Sequence, residues 1–213
     1  DWPARLSPHP GACRHRGIRA MPYVCTTPAT VTPISVADVL AHCRIDAHDD
    51  DVYIAGLIDK ATRTVERLLD RQFCTATWKL YLDEWPDAIE LTKLPVASVT
   101  GITYVNTAGT VTTLAAAQYQ TDFACPDSPG RIKPAYGLVW PSCRGDTYNQ
   151  IIVTFTAGYG ATASLVPAAV RHALLLVVAN WYEKREPVTD EVVNEVPFVL
   201  AWLMSSEDWG QYT

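Results

Sequence analysis

The sequence predicts an α+β protein in which an antiparallel β-rich subdomain interrupts a small helical bundle. Three observations carry this reading. Apolar residues recur at helical spacing up to about residue 74, and the period drops to two from there through 157. A helix then spans 167–185 and is apolar around almost its whole circumference from Ala173 to Ala179. A helix on a monomer's surface ordinarily shows one apolar stripe and one polar face. This one calls for cover on a second side, and a neighbouring subunit is a natural candidate.

The elements follow in order. Residues 1–20 are rich in Pro, Arg and His, lack periodicity and end just before Met21. They read as a leader foreign to the domain, with Met21 as the natural start; the other reading is a short basic arm laid on a partner. A secretory signal is excluded, because no apolar core region is present. With the Thr/Pro stretch behind it, the leader forms an extended arm over 1–32. Ser35 and Asp38 then sit three apart ahead of an apolar pattern, an N-cap with an acid in the first turn. They predict a short helix from Val36 to about Cys43. Asp49, Asp50 and Asp51 open a longer one, and Leu57, Ile58, Ala61, Val65, Leu68 and Leu69 carry its apolar face to about Arg71. Asp59 and Arg63 make an i,i+4 pair on its wet face. These helices, within 33–74, are the first part of the bundle.

The inserted subdomain covers 75–157. Its strand-like runs are Thr77–Leu82, Ile89–Leu91, Val99–Val105, Val111–Leu114, Tyr119–Thr121, Arg131–Lys133 and Ile151–Thr156. Asn106-Thr107-Ala108-Gly109 reads as a hairpin loop. Pro86, Pro95, Pro126, Pro129, Pro134 and Pro141 punctuate the region and favour short antiparallel strands with irregular links. The bundle resumes over 158–204 with the apolar helix and a shorter apolar stretch, Phe198 to Met204, read as a short C-terminal helix. Residues 205–213 form a tail.

Composition narrows the function classes. Hydrophobic content of 48% is ample for a packed core and excludes wholesale disorder. Seven Trp and ten Tyr are generous for this length and suit interfaces as well as cores. No apolar run approaches the ~20 residues needed to cross a bilayer, since Arg171, His172 and Asn180 interrupt the best candidate; a soluble protein with no membrane contact is expected. Cys13, Cys25, Cys43, Cys74, Cys125 and Cys143 form no C-x-x-C, so free thiols in a reducing compartment are expected. Charge is uneven. Residues 1–20 carry +3, which leaves −9 on the rest, and Glu186 to Thr213 holds six acids without Lys or Arg. The body therefore has no basic face with which to grip nucleic acid.

Catalytic chemistry is largely missing. The chain has no G-x-S-x-G, no H-E-x-x-H and no Walker loop. Gly158, Gly160 and Ala163 do satisfy G-x-G-x-x-G/A between a strand and a helix. That chemistry needs the glycines at the helix N-terminus. Here Ser164, Leu165 and Val166 intervene before Pro167, which suits the first helical position. A turn needing positive φ is the plainer explanation, and a nucleotide-binding enzyme using this turn stays a remote alternative. Asp46 to Asp51 fails the EF-hand pattern, because His48 takes an acid's place and Asp51 the glycine's. His9, Cys13 and His15 lie in the leader and lack a fourth ligand. His42, Cys43 and His172 sit within helices and read as structural. No catalytic, cofactor-binding or metal-binding residue is assigned, and no cofactor is expected.

With the elements placed, the sequence resembles the tailed-bacteriophage head–tail connector proteins, also called adaptor or head-completion proteins. The resemblance runs through PISVADVLAHCRID (Pro33–Asp46), DDDVYIAGLIDKATRTVERLLDRQF (Asp49–Phe73), TWKLYLDEWP (Thr77–Pro86) and LPVASVTGITYVNTAGT (Leu94–Thr110). It continues in PGRIKP (Pro129–Pro134), VTFTAGYG (Val153–Gly160) and VPAAVRHALLLVVANWYEKRE (Val166–Glu186). Each piece alone is weak; their collinear order over about 33–200 is specific.

The resemblance implies a structural virion protein without enzymatic activity, assembled in the bacterial host cytoplasm and placed in the virion neck at the portal vertex. The family forms a homo-oligomeric ring, usually of twelve subunits, under the portal protein. The ring extends the DNA channel and presents a docking surface to the downstream neck or tail protein. Genome DNA passes without specific binding. Another neck component, a stopper or tail-completion protein, is the nearest alternative. Arg171, Leu175, Val178, Trp181 and Tyr182 are the expected subunit-interface residues; for Arg171, solvent exposure is the plainer reading, and for Trp181 and Tyr182, core packing. Phe198, Trp202, Trp209 and Tyr212 are the expected portal-docking anchors, set against the reading that Phe198 and Trp202 simply close the bundle. Asp190, Glu191 and Glu195 are the expected channel-lining acids.

Overall fold

Buried apolar side chains sort into two clusters, one built by helices and one by strands. The computed structural model describes residues 23–184. Within them lie β1 (Tyr23–Thr27), α1 (Val36–Cys43), α2 (Asp51–Leu69), β2 (Ala76–Leu82), β3 (Ile89–Leu91), β4 (Val96–Val105), β5 (Val111–Leu114), β6 (Tyr119–Asp122), β7 (Gly130–Pro134), β8 (Ile151–Ala157) and α3 (Ala168–Glu183). The fold is α+β, as the change of period predicts.

The first cluster is a three-helix bundle. A capping box starts α1: Asp38 N donates to Ser35 Oγ at 3.2 Å, and Ser35 N donates to the Asp38 carboxylate at 2.8 Å. The Ser35 hydroxyl, donating to the same carboxylate at 2.7 Å, and then the Ser35 amide hold the Asp38 carboxyl below its usual pKa. Val39 and Leu40 then meet Ile54, Leu57, Ile58, Ala61 and Val65 of α2 and Val170, Leu174, Val177 and Val178 of α3. Helix α2 ends at Leu69, two residues before the sequence-based expectation. Asp70 adopts a left-handed conformation, and its amide and that of Arg71 turn back to Arg67 O and Glu66 O. The expected Asp59–Arg63 pair is present at 3.0 Å on the exposed face.

The second cluster fills the space between two antiparallel sheets, ordered β1-β2-β8-β4-β5 and β3-β7-β6. Strand β8 sits at the centre of the larger sheet. Ile151, Val153, Phe155 and Ala157 are fully buried and alternate with half-buried Ile152, Thr154 and Thr156. That is the period-two pattern of a strand with one face in a core. All seven expected strands are present. The Asn106–Gly109 loop joins β4 to β5, with Asn106 Oδ1 accepting from Ala108 N and Thr110 N and Gly109 at φ +82°. Strand β1 is an addition that the sequence did not reveal. It pairs with β2, and the Tyr23 hydroxyl bonds Glu90 O and Thr92 N beside the smaller sheet.

The lobes meet where the chain enters and leaves the strands. Thr75 N donates to Gly160 O, Tyr159 N to Phe73 O, Gly158 N to Pro95 O and Gln72 N to Leu94 O, at 2.7–2.9 Å. Strands β2, β4 and β8 have Ala76, Val96 and Ala157 at this waist; their opposite ends, Leu82, Val105 and Ile151, point away from the bundle.

Candidate functional site

The glycine turn is structural. Gly158 has φ +127°, and a Cβ there would stand 2.7 Å from the Cys74 carbonyl carbon and the Thr75 nitrogen. The 3₁₀ turn Ala163–Leu165 separates it from α3, and the Leu165 side chain fills the space beside Gly160. Backbone amides of 158 and 159 are already bonded across the waist, so they are not displayed to a phosphate. Pro167 is the N-cap of α3, with Ala168 first in the helix; its ψ of 138° is extended, one residue later than the expected start.

Around the waist lies a polar network. Arg71, only 6% exposed, donates to Tyr159 Oη at 3.1 Å and pairs with Asp127 at 2.9 Å. Glu66 Oε1 accepts from Phe73 N and Gln72 Nε2, and Gln72 Oε1 accepts from Trp78 Nε1. Lys93 pairs with Asp70 beside it. These groups satisfy backbone and side-chain donors that the chain crossing would otherwise bury unpaired. The sequence carries one signal for the network, the polar run Asp70-Arg71-Gln72 directly after the apolar pair Leu68-Leu69.

Burial raises the Glu66 pKa above its ordinary 4.5, while the Phe73 amide acts in the opposite sense. An acid whose folded pKa is raised binds its proton more tightly in the folded state. Stability then falls as pH rises through the window that opens near 4.5 and extends upward. Glu66→Gln keeps an acceptor for Phe73 N and removes that penalty. Thermal unfolding followed upward from about pH 4 is expected to show the parent chain losing stability relative to E66Q as pH rises past the ordinary 4.5. Parallel curves would refute this. Cys74 is buried beside the network, and desolvation pushes its thiol up to about 11, so it is inert. The five described cysteines are all free.

Helix α3 offers a candidate assembly surface among the described residues. Val170, Ala173, Leu174, Val177 and Val178 face the bundle core. Helical spacing puts Ala168, His172, Ala179 and Glu183 on the line farthest from it, and Leu175, Leu176 and Ala179 are half-buried. Only His172 and Glu183 make that outer line polar. Among the expected interface residues, Val178 is fully buried in the chain's own core, so it can support a seam only from behind. Trp181 packs on the bundle with Lys60 Nζ 5.1 Å from its ring centre, and Tyr182 Oη donates to Asp50 Oδ2 at 2.7 Å. Both are engaged with α2, while Leu175 is half-buried at the bundle's margin. Arg171 is half-exposed, and its Nε is buried without a hydrogen-bond partner among the described residues. His172 stands edge-on to His42 of α1 at 6.1 Å.

The Asp46–Asp51 run serves the fold, since Asp50 accepts from Tyr182 and Asp51 from His48. Among the described residues no group of three or more His, Cys, Asp or Glu side chains is placed to hold a metal ion. No described helix is long and apolar enough to cross a membrane. The expected portal anchors Phe198, Trp202, Trp209 and Tyr212 and the channel acids Asp190, Glu191 and Glu195 lie outside the described residues, as do the leader, Cys13 and the expected C-terminal helix.

The described residues form a three-helix bundle joined at a polar waist to an antiparallel double sheet. Residues 33–124 match the family described as phage gp6-like head-tail connector protein. The fold is similar to a chain in the neck of an empty gene transfer agent (GTA) particle computed with C6 symmetry. The TM-score is 0.69 and identity 24%, covering 86% of this chain and 95% of the other. It is likewise similar to a chain in the virion of the native GTA particle, with TM-score 0.69, 25% identity and 86% and 93% coverage. A third likeness is to the neck of the native GTA particle computed with C12 symmetry, with TM-score 0.64, 24% identity and the same coverage. No curated protein matches the chain. The head–tail connector resemblance is thereby borne out over residues 33–124, and the fold is one found in particle necks.

Proposed function

We propose that this chain is a structural protein of a virion neck, a head–tail connector that forms a ring under the portal, with twelve copies as the expected number. The observation that carries the reading is the family match over 33–124, together with similarity to necks computed with sixfold and twelvefold symmetry. The shape of α3 supports a seam between copies. Its outer line alternates alanines with His172 and Glu183, and Leu175 and Leu176 flank it half-covered. The portal protein on one side and a downstream neck or tail protein on the other are the proposed partners, with DNA passing through the ring.

Charge fits a channel that DNA crosses without sticking. Twelve copies at −6 total about −72, and an acidic wall repels phosphate. Asp190, Glu191 and Glu195 are proposed for that wall, and Phe198, Trp202, Trp209 and Tyr212 for contact with the portal. The chain acts here by assembly, with no chemistry of its own.

Native mass spectrometry and negative-stain imaging, with and without portal-bearing capsids, test the reading. Rings are expected in at least one of the two conditions. Leu176→Glu puts a charge on the proposed seam while leaving the bundle core intact. It is expected to shift the chain to monomer with only a small fall in melting temperature, because Leu176 is half-buried and lies outside the bundle core. A parent chain that stays monomeric beside portal-bearing capsids would refute the ring.

A further inference from the structure

The end of the β lobe opposite the waist is built from three loops, 83–88, 106–110 and 135–150. They join at the far ends of β2, β4 and β8. Loop 135–150 leaves β7 of the smaller sheet and crosses this end to enter β8 of the larger one. It has no regular structure, yet it is tied down at several points. Trp140 stacks on Trp85 with ring centres 4.5 Å apart and planes 8° from parallel, and its Nε1 donates to Pro86 O at 2.8 Å. Arg144 N donates to Val105 O, and Asn149 N to Asp83 Oδ1 at 2.7 Å.

On this frame stand apolar side chains facing solvent. Leu138 N donates to Ala135 O at 2.9 Å and Gly137 has φ +76°, so residues 135–138 form a tight turn with Tyr136 at its corner. Tyr136 is 101% exposed, Val139 87%, Tyr148 80% and Val111 68%. A fixed loop that holds aromatic and aliphatic groups outward resembles the centre of a protein interface more than an ordinary surface. The bonds that tether the loop lie within the chain itself, which lowers the entropic cost of association.

Charge selects the occupant. The three loops carry Asp83, Glu84, Asp87 and Asp146 against one cation, Arg144, which is itself paired with Asp146 at 2.8 Å. Phosphate would be repelled, so the tip is not a DNA contact. A second copy is a poor occupant whether it meets the tip with its own tip or with another face, since residues 21–213 carry −9 and like charges would be set together. A different protein with an apolar groove rimmed by Lys or Arg satisfies both features.

We propose that this tip, centred on Tyr136 and Val139, is a preformed docking surface for a second, different neck protein on the side away from the helical bundle. That partner presents an apolar groove with a basic rim. The inference rests on the neck reading for its setting and adds to it an end of the molecule and a partner chemistry.

Site-directed photo-crosslinking tests it with the full chain in cells that assemble the particle, the probe being benzoylphenylalanine at position 136. The expected product joins position 136 to a virion protein other than this chain and the portal, at a peptide that contains Lys or Arg. A crosslink to a second copy, to the portal or to DNA would overturn the proposal, as would none at all. The same probe at position 176 reports on the ring. If 176 crosslinks to a second copy and 136 fails, the tip is wrong and the ring stands; if 176 also fails, the neck reading itself is at fault. Independently, Tyr136→Ser combined with Val139→Ser is expected to keep the parent melting temperature while tail attachment to filled heads drops about tenfold or more. Normal attachment, or a clear fall in melting temperature, would instead show these side chains to be idle or structural.

Discussion

Gly158→Val is expected to destabilise the folded chain by about 3 kcal/mol or more, because strain and collision act together. The native φ of +127° lies outside what a β-branched residue adopts. The new Cβ would press on the Cys74 carbonyl carbon and the Thr75 nitrogen, both backbone atoms held in the waist, so no side chain can swing aside. Relief requires moving the strand entry, which costs the bonds from Thr75 N to Gly160 O and from Gly158 N to Pro95 O. Urea unfolding is the direct measurement. Gly56 is the internal control: it lies inside α2 with open space where its Cβ would go. Gly56→Ala is expected to stabilise by about 0.5–1 kcal/mol through helix propensity alone. A loss under about 1 kcal/mol for the valine variant would show that the waist yields more easily than its geometry implies.

Phe73→Ala is the second large effect, expected at about 3–5 kcal/mol. Phe73 is fully buried in the helical cluster, and its amide and carbonyl are committed to Glu66 Oε1 and Tyr159 N. Removing the ring opens a cavity at the point where α2 hands over to β2. The backbone bonds on both sides resist collapse into it. The same urea experiment measures the change, and a loss below about 2 kcal/mol would mean that the bundle closes over the gap. Since the lost contacts belong to the bundle, the fall should also be visible as weaker hydrogen-exchange protection in α2 and α3.

How much could be read without coordinates depended on how local each signal is. The capping pair Ser35/Asp38, the hairpin at Asn106–Gly109 and the alternation in β8 are set by neighbours in sequence, and all are present in the fold. Strand β1 escaped because four of its five residues are exposed, so no alternation marks it. The premature end of α2 hangs on the left-handed turn at Asp70, which no apolar pattern announces. The partition into two sheets depends on β8 pairing with both β2 and β4 across long stretches of chain, and periodicity says nothing about partners. On α3 the apolar pattern revealed that the helix needs cover, but an all-round apolar sequence cannot say which side faces home. Val178, which the pattern allows on a seam, therefore proves to fill the chain's own core. The aromatic tip was missed for a related reason: Tyr136, Leu138 and Val139 look in sequence like any core-bound residues, and only their exposure sets them apart.

The waist has a genealogical consequence. Residues 75–160 leave and rejoin the waist at one spot, with Thr75 N hydrogen-bonded to Gly160 O at 2.9 Å, while β1 joins the same lobe from before the helices. Segments with adjoining ends are the ones that chains tolerate being exchanged, shortened or replaced. The helical scaffold, with β1 ahead of it, can therefore remain fixed while a lineage trades one 75–160 segment for another. In such a lineage the part that is inherited and the part that adapts to a new host particle would be divided at Arg71, Gln72 and Tyr159.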